Sequence, residues 1–129
     1  MSTMSGTLDC PCGSGATYDG CCGPLIRNER AADGVEELMR SRYTAYVVRA
    51  DDHLFRTWHP RTRPDEVAPE PGLEWTGLEV LDVVETGVVE FRAHWLWQGK
   101  HGVLHERSTF EQRGGRWLYV DGSPPGLKG

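Results

Sequence analysis

No stretch of this sequence is apolar for long enough to cross a bilayer, and residues 1–20 hold no apolar run of signal-peptide length. Cytoplasmic residence is the resulting expectation. Positive charge is also in short supply. A formal net charge of -5 opposes general affinity for nucleic acid or anionic membranes, which are read by clustered Lys and Arg. No internal repeat is visible, and cysteine is absent after position 22. What is there is globular: 129 residues, 38% hydrophobic and 26% charged, give one ordinary domain that can build a core without cross-links.

All four cysteines fall in residues 10–22, CPCGSGATYDGCC. Disulfide bonding and metal binding can both use such a cluster. In a reducing compartment disulfides rarely persist, so metal is the expectation. Adjacent Cys21 and Cys22 lack the Cys-x-x-Cys spacing of redox dithiols. Four thiolates suit tetrahedral zinc and leave no open position for substrate or water, the mark of a structural site. Gly13, Ser14, Gly15, Asp19 and Gly20 supply a tight loop between the pairs, and Pro11 holds the first pair extended. Glycine N–H groups are then free to bond the sulfurs. The cofactor expected is one structural Zn2+ per chain, held by Cys10, Cys12, Cys21 and Cys22.

After a linker over 23–32, Val35, Leu38, Met39, Tyr43, Tyr46 and Val47 recur with helical period up to about Ala50. Asp33 with Glu36 reads as a capping box for this helix. Asp51 reads as the cap of a shorter helix carrying Leu54, Phe55 and Trp58, ended by Pro60. Arg61 to Gly72, with Pro64, Pro69 and Pro71, is an irregular excursion. From Leu73 the period becomes two, predicting strands over about 74–85, 88–97, 103–112 and 115–121, the last two joined at Gly114-Gly115. The tail after Gly122 reads as frayed. Helices followed by antiparallel strands make an α+β domain in which a bent sheet wraps the helices.

Several polar residues fall on faces meant for the core. Arg42 lies between Leu38 and Tyr46 on the apolar stripe of the first helix. Alternation in GVLHERSTF puts Leu104, Glu106, Ser108 and Phe110 on one face and His105, Arg107 and Thr109 on the other. An isolated buried charge is costly, so Arg42 and Glu106 are expected to meet inside the domain. A register slip of one residue would instead turn His105 and Arg107 inward. Tyr43, Tyr46, Trp58 and His59 complete the pocket candidates, with His59 either a general base or a helix cap. Trp95 and Trp97 share an inner face with Val89, Phe91 and Ala93, and His94 faces solvent. His101 and His105 lack a convincing third metal ligand. Arg56 to Arg63 is the one local basic patch that RNA or an acidic partner might read; otherwise nucleic acid is not expected.

The stretch from Cys10-Pro-Cys-Gly-Ser-Gly to Cys21-Cys22 resembles the SEC-C zinc motif, best known from the tail of the SecA translocation ATPase. With CCGPLI, LMRSRYTAY, TWHP, GLEVL, GVLHERSTF and GRWLYVDG, the chain resembles the YchJ family over nearly its whole length. The resemblance implies a SEC-C knuckle over 1–23 and a nuclear transport factor 2-like cone over 24–129, two helices packed in a bent antiparallel sheet. By motif analogy it also implies a protein partner at the translation or translocation machinery. Cone folds commonly pair through the outer sheet face, so dimerisation is open.

Two functions compete. The first is a non-catalytic adaptor whose knuckle loop, Ser14 to Gly20, docks a partner. The alternative is a small-molecule enzyme of hydratase or isomerase type, or a ligand binder, using the cone. A filled interior with Arg42 and Glu106 paired supports the adaptor. A cavity holding Glu106 without an arginine partner supports the enzyme, because a paired carboxylate is a poor base near neutral pH.

Overall fold

The period-two sequence after Leu73 folds into one antiparallel sheet in the order β1 (Glu74–Val84), β2 (Val88–Trp97), β3 (Lys100–Arg113) and β4 (Arg116–Ser123). This computed structural model describes residues 5–67 and 70–124. The β3–β4 turn places Gly114 and Gly115 at φ 60° and 78°, the pair of positive values a type I′ hairpin needs. Gln98 and Gly99 make the same kind of turn at φ 51° and 76°. Because that turn needs only two residues, β3 starts at Lys100 rather than at the expected 103. Register shifts at Trp75/Gly77, Val80/Asp82 and Thr109/Phe110 bend the sheet.

Its concave face receives α2 (Val35–Val48), followed by α3 (Asp51–Arg56). Leu38, Val35, Leu54 and Val89 are almost fully buried, each contributing about 1.5–3 kcal/mol of burial. The expected caps are replaced. Gly34 is the N-cap of α2 with no side-chain bond, Glu37 rather than Glu36 accepts the Asp33 N–H at 2.7 Å, and Glu36 pairs with Arg40 instead. Asp51 likewise sits inside α3, behind an uncapped Ala50. The linker over 23–32 contains a further short helix, α1 (Gly23–Ile26), opened by Pro24. The excursion after Arg61 has no regular elements among its described residues, and the tail from Pro125 lies outside them.

The knuckle is part of this core. Cys10 N–H donates to Ala16 O at 2.9 Å and Tyr18 N–H to Leu8 O at 2.8 Å, folding the segment back on itself. Cys10, Cys12, Tyr18 and Cys22 then pack in one apolar cluster with Val35, Leu38, Met39 and Tyr43 of α2. No helix among the described residues is long and apolar enough to cross a membrane.

Candidate metal centre and cone cavity

The two turns of the knuckle bring the sulfurs of Cys10, Cys12, Cys21 and Cys22 within 4.8 Å of one another. Cys12 and Cys21 sulfurs are 3.6 Å apart and those of Cys21 and Cys22 3.8 Å. A disulfide needs about 2.05 Å, whereas four sulfurs at about 2.3 Å from a tetrahedral zinc stand roughly 3.8 Å apart. The donor set therefore fits one metal ion. Without a cation the four groups cannot share one charge state: hydrogen bonds from Cys10 and Cys22 push the Cys12 thiol far down, while Cys22, donating to both and buried, is pushed far up. Burial raises Cys21 to about 11.

Hydrogen bonds to the cluster come from α2 and from the loop itself. The Thr44 hydroxyl of α2 lies 3.4 Å from Cys22 Sγ and 3.7 Å from Cys10 Sγ. Ser14 Oγ stands 3.2 Å from Cys21 Sγ, and Arg40 Nη1 donates to the Cys12 carbonyl at 2.7 Å. Burial works against the Arg40 charge, but Glu36 and the Cys12 thiolate outweigh it and raise its pKa.

On its other flank α2 lines a cavity of about 210 Å³ inside the cone. Arg42, Tyr43, Tyr46, Trp58, Glu106 and Ser108 all reach it, with Met39, Phe91, Phe110 and Tyr119 completing an aromatic-rich wall. Leu104, Glu106, Ser108 and Phe110 share that inner face, while His105 and Arg107 bond Glu90 on the outer one. His59 lies elsewhere. Its N–H donates to Tyr119 O at 2.7 Å, its Nδ1 accepts the Arg61 N–H, and its Nε2 faces Glu111.

Arg42 and Glu106 do not pair. The Arg42 guanidinium sits in the corner formed by the edge-to-face rings of Trp58 and Tyr119, 4.9 and 4.6 Å from their centroids. Its Nη1 donates to Leu54 O at 2.9 Å and to Thr57 Oγ1 at 2.6 Å. Two ring faces and two acceptors from the α3 region thus satisfy the cation that was assigned to Glu106. Burial lowers its pKa to about 10, so it stays charged at neutral pH. Glu106 has no cation or hydrogen-bond donor among the described residues, and burial, with Asp121 nearby, raises its pKa. Its carboxyl lies directly over Gly122, where any Cβ would overlap it. The buried Trp58 Nε1–H has no acceptor among the described residues.

Residues 34–122 match the family described as YchJ, middle NTF2-like domain. This chain belongs to the YchJ family. It is 48% identical to a UPF0225 protein of Streptomyces coelicolor, over 90% of this chain and 95% of that one. The UPF0225 protein YchJ of Shigella dysenteriae is 40% identical, with 90% and 83% covered. The solution structure of a SEC-C motif containing protein from Rhodopseudomonas palustris superposes with a TM-score of 0.81 at 36% identity, covering 91% of this chain and 98% of that one. The cone is therefore the NTF2-like domain of a YchJ-family chain, and its cysteine cluster is of the kind that can hold a metal ion.

The cavity wall also holds residues that sequence reasoning passed over. Tyr119 is the main one: it gives Arg42 its second ring and packs edge-on against Trp58 and Phe110. Alternation within RWLYVDG was the available signal, but it names a face and not the partner across the cone. The basic run from Arg56 to Arg63 does not present one surface. Arg56 turns to the carbonyls of Leu25 and Ile26, Arg61 pairs with Glu111, and Arg63 covers the Phe55 ring.

Proposed function

We propose that this chain binds a small, largely apolar molecule with one polar end in the cone cavity, and that Glu106 transfers a proton to or from it. The supporting observation is the Glu106 carboxyl, raised by burial, in an aromatic cavity where its expected arginine partner is engaged elsewhere. A carboxylate whose pKa approaches the working pH is the better general base. Arg42 remains charged in the same cavity wall and can stabilise an oxyanion, and the unsatisfied Trp58 N–H can hold a carbonyl or carboxylate oxygen. Trp75 and Leu104 lead from the cavity to a shallower groove lined by Leu73, Trp95 and Trp97, which suits the apolar end of such a ligand. Zinc in the knuckle is structural in this reading: four cysteines would hold it closed, and it would supply folding free energy rather than a reacting centre.

The test is a panel of small ketones, enones and aromatic carboxylic acids titrated by NMR, reading the Trp58 indole proton, with hydrogen exchange at the carbon next to the carbonyl followed in D2O. Exchange by wild type and its loss in E106Q, with binding retained, is the expected result. A panel that leaves Trp58 unmoved at millimolar concentration overturns the reading.

Partner docking by the knuckle is a second reading, supported by Leu8 at 57% exposure beside the exposed Ser14, Thr17 and Asp19. Cytoplasmic translation or translocation machinery is the partner class by motif analogy. Because the knuckle shares the cone's core, deletion of residues 1–23 would disturb both. The suitable comparison is intact chain against L8S recovered from its own cells. A co-purifying protein lost with L8S supports docking; unchanged recovery refutes it.

A further inference from the structure

On the side of α3 away from the cone cavity, the chain from α1 to α2 arches over the end of β4 and encloses a second cleft of about 270 Å³. Its floor is apolar, built from Leu25, Leu38, Trp117 and Leu118, and its rim carries Arg30, Arg56 and Arg116. No carboxylate among the described residues lines it. Arg30 is already neutralised by Glu37 and Asp33. Arg56 and Arg116 have no ion pair among the described residues; Arg56 feels Asp52 at longer range and is repelled by Arg116.

Arg56 is held in place rather than free to swing. Its Nη2 donates to Ile26 O at 2.7 Å and Leu25 O at 3.1 Å, and stands 3.2 Å from His53 Nδ1. The buried Ser41 hydroxyl donates to Leu38 O at 2.8 Å and lies 2.8 Å from His53 Nε2, which packs the ring against α2. Arg56 is thus fixed by one nitrogen, and its Nε and Nη1 make no bond among the described residues.

We infer that this cleft is a binding site for a small organic phosphate, with the phosphate between Arg56 and Arg116 and an apolar or planar body over Trp117. Two guanidinium groups without a contact ion pair match a dianion in charge and offer forked donors to its oxygens. The apolar floor favours a phosphate with a body attached over the bare ion. A nucleic-acid strand is the poorer occupant, since the arch over residues 28–32 closes one side of the cleft and the chain's net charge of -5 opposes a polyanion. The site is separate from the cone cavity and independent of the function proposed there.

The test uses the intact zinc-loaded chain with phenyl phosphate, inorganic phosphate and a single-stranded RNA decamer as probes, followed by 1H–15N NMR at the Trp117 indole and the Arg56 and Arg116 side chains. Phenyl phosphate should bind saturably and about tenfold or more tightly than inorganic phosphate. R116E, at an exposed position, should weaken it at least tenfold while leaving the rest of the spectrum and the zinc content unchanged. Three results each overturn the inference: no saturable shift up to about 20 mM phenyl phosphate, a weakening by R116E of less than twofold, or tighter binding of the RNA than of phenyl phosphate. If R116E perturbs the fold, R116Q is the substitute and the same thresholds apply.

Discussion

The Thr44 hydroxyl donates to Cys22 Sγ across 3.4 Å, and with it a helix of the cone reaches into the sulfur cluster of the N-terminal knuckle. Thr44 is fully buried, and Arg40, one turn earlier on the same helix, bonds the Cys12 backbone. Met39, Arg42, Tyr43 and Tyr46 of that helix face the cavity. The cysteine cluster and the cone cavity are two flanks of α2.

Removing that hydroxyl should therefore weaken the metal site without unfolding the cone. T44V keeps the volume and deletes the donor, and a loss of zinc affinity of about 10- to 100-fold is expected, the range for outer-shell partners. Competition with a chromogenic chelator measures it. Metal analysis of the wild type should give about one zinc per chain, and C21S or C22S should abolish it. Full zinc retention in the cysteine variants would rule the centre out.

Because Arg42 has its own partners and Glu106 has none among the described residues, their energies should add. A double-mutant cycle of R42M and E106Q is expected to give a coupling below about 0.5 kcal/mol, the range for independent sites. Breaking a buried ion pair would cost about 3–5 kcal/mol for either single change and show strong coupling. Urea unfolding of the four proteins distinguishes the two cases.

Glu106 gives a stability trend with a definite sign. Its folded pKa is raised by burial, so the folded state holds the proton more tightly than the unfolded one and stability falls as pH rises through that window. E106Q cannot ionise. It should melt above wild type at pH 7, and the difference should shrink as pH is lowered towards 4. Thermal unfolding at both pH values is the check, and a wild type that melts higher at pH 7 contradicts the expected sign.

His53 runs the other way. Burial, with Arg56 and Arg42 nearby, lowers its pKa to about 3, so the unfolded state binds a proton that the folded state refuses. Stability contributed by the neutral ring is present above about pH 6.5 and lost as pH falls towards 3. Between pH 7 and 4 the wild type should lose roughly 3 kcal/mol more than H53Q. Metal loss at acid pH is common to both proteins and cancels in the difference.

Gly122 tests how the carboxyl is placed. Glu106 occupies the space a Cβ at 122 would fill, and its flexible end can be pushed aside. G122A should cost less than about 1.5 kcal/mol in stability yet shift the pH dependence of any Glu106-dependent exchange. An unchanged profile would show that Gly122 does not set the carboxyl's position.

The convergence of the four cysteine sulfurs and the faces of the strands were legible from the residues alone. Cysteine spacing around a glycine-rich loop specifies where sulfurs can converge, and alternation along β3 assigns Leu104, Glu106, Ser108 and Phe110 to one side, because both depend on local backbone geometry. Choice of partner is not local. Arg42 was legible as an inward charge, but which group meets it depends on where α3 sets down the carbonyl of Leu54, the Thr57 hydroxyl and the Trp58 ring, and on Tyr119 arriving from the far strand. Only the tertiary structure could leave Glu106 unpaired, join the knuckle to α2 through Thr44, and bring Arg56 and Arg116 to one cleft from distant parts of the chain. Those outcomes come from packing, where side-chain reach and competing acceptors decide, and a one-dimensional pattern carries neither.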